Sequence, residues 1–114
     1  MKTVILGVAP LDEAVSAFSE AWKTGSAEND ARISFPSPEI LWKTLTAKRW
    51  SLLRTLAGAG TVSIRKTARL AGRDVKAVHS DIRALLGAGI LKKVDGGITF
   101  PYDAVRVEFV LKVA

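Results

Sequence analysis

Hydrophobic residues follow two different periodicities along the chain, and the changes between them divide it into strands and helices. Alternation, or a short run of Val, Ile and Leu, predicts strands, at residues 2–8, 32–35, 90–94, 98–100 and 105–111. Spacings of three and four predict helices, at residues 10–24, 38–43, 47–57, 64–71 and 75–86. The pattern therefore predicts an α+β protein.

The residues at the element boundaries make the second half of this pattern more specific. Thr46, Ser63 and Asp74 each precede a helix, where a side-chain oxygen accepts hydrogen bonds from the first backbone N–H groups. Gly72 ends the short helix, and Asp95-Gly96-Gly97 predicts a hairpin turn. The order helix, short helix, tight turn, longer helix, β-hairpin predicts a winged helix-turn-helix, a three-helix core with a β-hairpin wing.

The predicted organisation has three parts. Residues 1–37 form an N-terminal strand–helix–strand extension, residues 38–101 the winged helix-turn-helix DNA-binding domain, and residues 102–114 a C-terminal strand. The two outer parts exceed what a compact winged helix needs, so we expect them to form a homodimer interface. The tryptophans are expected in the core or in that interface: Trp22, Trp42 and Trp50.

The predicted helix 75–86 has two unlike faces. At about 100° per residue its apolar side chains fall within one arc: Val75, Val78, Ile82, Leu85 and Leu86. A recognition helix must lie in a major groove roughly 12 Å wide, where small side chains let it approach the base edges. The residues expected to face bases lie on the opposite side: Lys76, Ala77, Ser80 and Arg83.

The net charge of +6 is concentrated in the middle of the chain. Residues 43–93 hold twelve basic and two acidic residues, whereas residues 1–42 and 94–114 carry charges of −3 and −1. Such a basic block in a patterned segment indicates a folded surface that meets a polyanion. The expected phosphate contacts are Lys48, Arg49, Arg65, Lys66, Arg69 and Arg73, and the expected wing contacts are Lys92 and Lys93.

The composition argues against enzymatic chemistry. There is no cysteine, and therefore no disulfide, thiolate metal site or cysteine nucleophile. His79, Ser80 and Asp81 are consecutive, so on a helix they point in different directions and form no catalytic relay. We expect no enzyme activity, cofactor or metal site. The longest apolar runs are shorter than the ~20 residues of a membrane span, and we expect a cytoplasmic protein.

Several segments between residues 30 and 112 resemble a known family. They are Ile33–Ser37, Leu45–Trp50, Ser63–Asp81, Leu86–Ile90, Phe100–Asp103 and Val107–Phe109. Together they look like a group of short prokaryotic winged-helix DNA-binding proteins that are MarR-like in the broad sense. The resemblance is most specific over residues 72–79. It implies transcriptional regulation, and some members look like the antitoxin of a toxin–antitoxin pair.

Two classes of function follow. The first is a sequence-specific transcriptional regulator, a repressor, that places helix 75–86 in the major groove of double-stranded DNA. The alternative is an antitoxin-type protein-interaction module that neutralises a partner toxin and represses its own operon, with the acidic and apolar first forty residues as docking surface. RNA binding is a weaker third hypothesis, because the predicted outer faces carry no aromatic side chains on which bases could stack.

Overall fold

The computed structural model describes residues 2–8 and 30–109 of the chain. Within these residues it has four helices and five strands, which confirms the predicted α+β class. The predicted helix 10–24 and Trp22 lie outside the described residues. In the described part, no helix is long and apolar enough to cross a membrane.

The elements agree with the predicted ones to within a few residues at each end. In chain order they are β1 (Thr3–Val8), β2 (Asp30–Phe35), α1 (Pro38–Thr44), α2 (Ala47–Leu56), α3 (Ile64–Ala71), α4 (Val75–Gly87), β3 (Lys92–Val94), β4 (Gly97–Thr99) and β5 (Ala104–Glu108). Their contacts divide the chain into two compact units. The first comprises residues 1–43 and 104–114, and the second residues 44–103. Most of α1 thus groups with the sheet, whereas the sequence placed the boundary before it, at residue 38.

The first unit is built on a parallel sheet with strand order β2-β1-β5. Leu6 in the central strand pairs with Ile33 on one side and with Val107 on the other. Because side chains alternate along a strand, one face is entirely apolar: Val4, Leu6, Val8, Ala31, Ile33, Phe35, Val105 and Val107. On the other face, Glu108 pairs with Arg32 at 3.4 Å and with Arg106 at 3.2 Å. The alternation predicted for the last strand is therefore confirmed over the described residues.

The second unit starts its three helices with the predicted caps. The Thr46 hydroxyl accepts a hydrogen bond from the Arg49 backbone N–H at 3.3 Å. The Ser63 hydroxyl accepts one from the Lys66 backbone N–H at 3.0 Å. The Asp74 carboxylate caps α4. Each such cap contributes about 1 kcal/mol to stability.

The core of the second unit lies between these helices and the hairpin. Its buried apolar residues are Leu45, Leu52, Leu53, Leu56, Val62, Ala68, Val78, Ile82, Leu85, Ile90, Leu91, Ile98, Phe100 and Tyr102. Thr67 is also fully buried, and its hydroxyl donates a hydrogen bond to the Ser63 carbonyl at 2.8 Å. That side chain was not predicted to be part of the core.

Several large apolar residues are exposed. Trp50 and Leu70 each lie about 110° around their helix from the centre of its buried face, and Val75 lies in the first turn of α4. Trp42 in the first unit is exposed as well, and its ring packs edge-on against Phe109 at 5.9 Å between centroids. Trp50 and Trp42 were expected in the core or in a dimer interface; their exposure excludes the core, and the dimer interface stays a prediction.

The hairpin β3–β4 is fixed to the segment that leads into α3. Val62 and Ile98 exchange two backbone hydrogen bonds, of 3.0 Å and 2.8 Å. Gly97 stands next to this bridge with φ of +148°, and a Cβ atom there would overlap the Val62 backbone. Glycine is therefore required at this position, both for its backbone conformation and for the close approach.

Candidate nucleic-acid interface

Helix α3 carries its basic residues on the side opposite its buried residues. Thr67 and Ala68 face the core. The three bases of α3 are exposed and fall within an arc of about 100°: Arg65, Lys66 and Arg69. The sequence of this helix has no acidic residue. Its exposed face therefore carries positive charges and no negative one.

The turn between α3 and α4 is fixed by backbone hydrogen bonds at one end and by a cap at the other. Gly72 adopts the left-handed conformation, φ 65° and ψ 37°. Its N–H donates to the Arg69 carbonyl at 3.2 Å, and the Arg73 N–H donates to the Ala68 carbonyl at 3.0 Å. This is the Schellman pair of bonds that ends a helix. Asp74 then accepts hydrogen bonds from the first backbone N–H groups of α4, at 3.0 Å and 3.3 Å.

Helix α4 buries one side and exposes the side predicted to face bases. Val78, Ile82 and Leu85 are fully buried. All four predicted base-facing residues are exposed, namely Lys76, Ala77, Ser80 and Arg83, and so is His79. The carboxylate of Asp74 accepts hydrogen bonds from the backbone, as expected for a cap. Within the described residues, the side chains of Lys76 and Arg83 make no ion pair.

An ion-pair cluster ties α4 to α2 and to the turn. One oxygen of Asp81 accepts from Nε of Arg49 at 3.0 Å, and the other accepts from Nη2 of Arg73 at 2.8 Å. The side chains are mostly buried, with 15% of Asp81, 20% of Arg49 and 23% of Arg73 exposed. Arg49 also donates from Nη1 to the Thr44 carbonyl at 3.0 Å. Arg49 and Arg73 were predicted to contact phosphate, but in the structure both guanidinium groups are bound to Asp81.

The electrostatics of the cluster favour the ionised carboxylate. Partial burial raises the pKa of Asp81, but the hydrogen bonds and positive charges of Arg73 and Arg49 outweigh that effect and hold the pKa below its ordinary value. Within the described residues, Nη1 of Arg73 is buried and has no hydrogen-bond partner. The negative charge of Asp81 therefore offsets the cost of burying the Arg73 guanidinium.

Sequence reasoning gave Asp81 no structural role, although the helical pattern held a signal for it. At about 100° per residue, Arg49 lies within roughly 40° of Leu53 and 20° of Leu56, inside the buried face of α2. Asp81 lies roughly 40° from Leu85, at the edge of the buried face of α4. A base and an acid that both border a core are expected to pair with each other.

The remaining predicted contacts are all on the surface. Lys48 at the start of α2 is exposed, as are Lys92 and Lys93 on β3. Of the twelve predicted contact residues, ten are exposed, and only Arg49 and Arg73 are partly buried. The described residues hold no group of three or more His, Asp or Glu side chains placed to bind a metal ion. What the exposed residues offer is positive charge, hydrogen-bond donors and small apolar groups.

These elements define a small α+β protein whose second unit exposes a basic helical surface. The family model HVO_A0114 matches residues 44–107, which is more than half of the chain and includes the whole second unit. The chain belongs to the HVO_A0114 family. No curated protein and no solved structure matches it.

Proposed function

We propose that this protein is a sequence-specific regulator of transcription that binds double-stranded DNA through a winged helix-turn-helix. In this proposal α2, α3 and α4 are the three helices, α4 is the recognition helix and β3–β4 is the wing. The observation that carries the proposal is the exposed face of α4. It presents Lys76, Ala77, Ser80 and Arg83 together, and it has no ionised carboxylate apart from the cap.

The neighbouring elements support the same function. A helix-turn-helix needs a second helix that crosses the DNA backbone, and α3 exposes three bases and no acidic residue. The wing carries two exposed lysines, Lys92 and Lys93. The tight turn at Gly72 and the bridge between Val62 and Ile98 hold α4 and the hairpin on one folded unit.

The ion-pair cluster changes the expected number of phosphate contacts. Eight basic residues were assigned to phosphate or wing contacts, but Arg49 and Arg73 are held by Asp81. The six that remain are Lys48, Arg65, Lys66, Arg69, Lys92 and Lys93. Each phosphate contact makes the slope of log K against log salt more negative by about 0.9. Six contacts therefore predict a slope near −5 per protomer, whereas eight contacts predict a slope near −7.

Duplex binding by the purified full-length protein tests the proposal. Affinity for a random duplex is measured by fluorescence anisotropy across a salt series, and specific sites are then selected from a random library. We expect Lys76→Ala to weaken binding to a selected site by roughly tenfold to a hundredfold, or to lower the salt slope by about one if Lys76 contacts only phosphate. Arg54→Ala is the matched control, because Arg54 is an exposed base outside the predicted interface. Salt-insensitive binding, or equal effects of the two substitutions, would contradict the proposal.

The first unit supplies the proposed partner surface. Trp42 and Phe109 form an exposed aromatic pair, and Ile40 is exposed on the same short helix as Trp42. We assign this surface to a homodimer interface, which would place two recognition helices about 34 Å apart on a palindromic site. Sedimentation of wild type and Trp42→Ala checks this, since a wild-type monomer at micromolar concentration contradicts it. Co-purification of a stable toxin complex, with no salt-sensitive DNA binding by the chain alone, would instead favour the antitoxin function.

A further inference from the structure

The first turn of α4 presents two small apolar side chains to solvent. Val75, its first residue, is 41% exposed, and Ala77 is exposed as well. Lys76 stands between them and is also exposed. The N-terminal residues of a recognition helix are those that contact base edges. The two lie about 160° apart around the helix and flank Lys76, so each is placed to make an apolar contact of its own.

The composition of the chain restricts which bases this helix can read. Adenine is recognised in the major groove by the side-chain amides of Asn or Gln. The chain has no Gln, and its one Asn, Asn29, is not in α4. Each A·T pair also presents the C5-methyl group of thymine in the major groove, and that group is recognised by apolar contact. In an A·T pair, the exposed apolar side chains of α4 therefore suit the thymine, and α4 has no amide side chain for the adenine.

We propose that Val75 and Ala77 recognise thymine by packing against C5-methyl groups in the major groove. The inference rests on the proposed function of α4 as a recognition helix and adds a base preference to it. Lys76, between the two apolar residues, donates hydrogen bonds to a neighbouring guanine or phosphate. The preferred site accordingly contains thymine where the N-terminus of α4 enters the groove.

Replacing thymine by uracil tests the proposal, because the change deletes the methyl group and leaves the base pair intact. A duplex selected by the full-length protein is resynthesised with deoxyuridine at each thymine in turn, and the Kd is measured for each. We expect a loss of about fourfold at one or two positions, which corresponds to burial of about one methylene, ~0.8 kcal/mol at 1.4 kcal/mol per tenfold. In Val75→Ala the loss at one of these positions is expected to fall to less than twofold.

Val94→Ala is the matched control, since Val94 is a similarly exposed valine, 37%, on the hairpin. It should leave the ratio of thymine to uracil affinity unchanged, because a wing contact to phosphate or to the minor groove does not involve the C5-methyl group. If uracil replaces thymine at every position with less than twofold change, the thymine proposal is wrong, while salt-dependent duplex binding still supports the proposed function. If no duplex is bound, the proposed function itself fails.

Discussion

Removing the charge of Asp81 is the most informative single change in the second unit. Asp81→Asn keeps the shape of the side chain and one acceptor oxygen, but it removes the negative charge that pairs with two mostly buried guanidinium groups. Hydrogen bonds to charged groups contribute about 1.5–3 kcal/mol each, and breaking a buried pair costs about 3–5 kcal/mol. Because the asparagine retains one acceptor for these hydrogen bonds, we expect the free energy of unfolding to fall by about 3 kcal/mol. This corresponds to a Tm lower by roughly 12 °C.

The pH dependence of this loss gives a second, independent signature. The pKa of Asp81 is lowered in the folded protein. Its stabilisation is therefore full above the unfolded-state pKa of about 3.9, and it is lost as the pH falls through the folded-state value. The difference in Tm between wild type and Asp81→Asn should be constant from pH 7 to about pH 5 and should shrink below about pH 4.

Thermal unfolding followed by circular dichroism at several pH values measures both effects. Asp95→Asn is the matched control, because Asp95 is an exposed carboxylate in the hairpin turn and Asn-Gly is an equally good turn sequence. We expect it to change stability by less than about 0.5 kcal/mol. A Tm for Asp81→Asn within about 2 °C of wild type at pH 7, or a difference that persists unchanged to pH 2.5, would refute the role given to the cluster.

Three further substitutions test the geometry around α4, each followed by urea denaturation. Gly97→Ala should destabilise by about 3 kcal/mol or more, because its Cβ would overlap the Val62 backbone; a loss below about 1 kcal/mol would show that the hairpin is not held there. Gly72→Ala should cost about 1–2 kcal/mol, because φ is 65°, and an unchanged midpoint would contradict the left-handed turn. Asp74→Ala should cost about 1 kcal/mol while Asp74→Asn stays near wild type, and equal losses would mean that charge rather than capping is lost. Asp81→Asn should also steepen the salt slope of DNA binding by up to about one, since Arg73 loses its paired charge; an unchanged slope would place Arg73 away from phosphate.

The features that sequence predicted well are local ones. Thr46, Ser63 and Asp74 bond to backbone atoms two or three residues away, so the information lies within one turn of helix. The left-handed Gly72 and the Asp95-Gly96 turn are equally local. The burial of α4 followed from its own periodicity, because Val78, Ile82 and Leu85 are spaced to share one face.

The features that sequence missed depend on distant residues. Arg49 and Asp81 are 32 positions apart, so the pattern of either helix alone does not show that they meet. The exposure of Trp50 depends on which flank of α2 its neighbours cover, and hydrophobicity alone does not specify this. Pairing of β5 with β1 joins residues about a hundred positions apart, for example Thr3 with Ala104. That pairing also explains why the chain from residue 104 onward groups with the first unit.

The pairing of β5 with β1 also has a consequence for biosynthesis. The ribosome delivers the chain from the N-terminus, and domains fold as units during synthesis. Residues 44–103 are synthesised before β5, so β1 lacks one of its two neighbouring strands until β5 is added. We expect a chain truncated after Asp103 to leave one edge of β1 unpaired, and such an edge is an attachment point for strands of other chains.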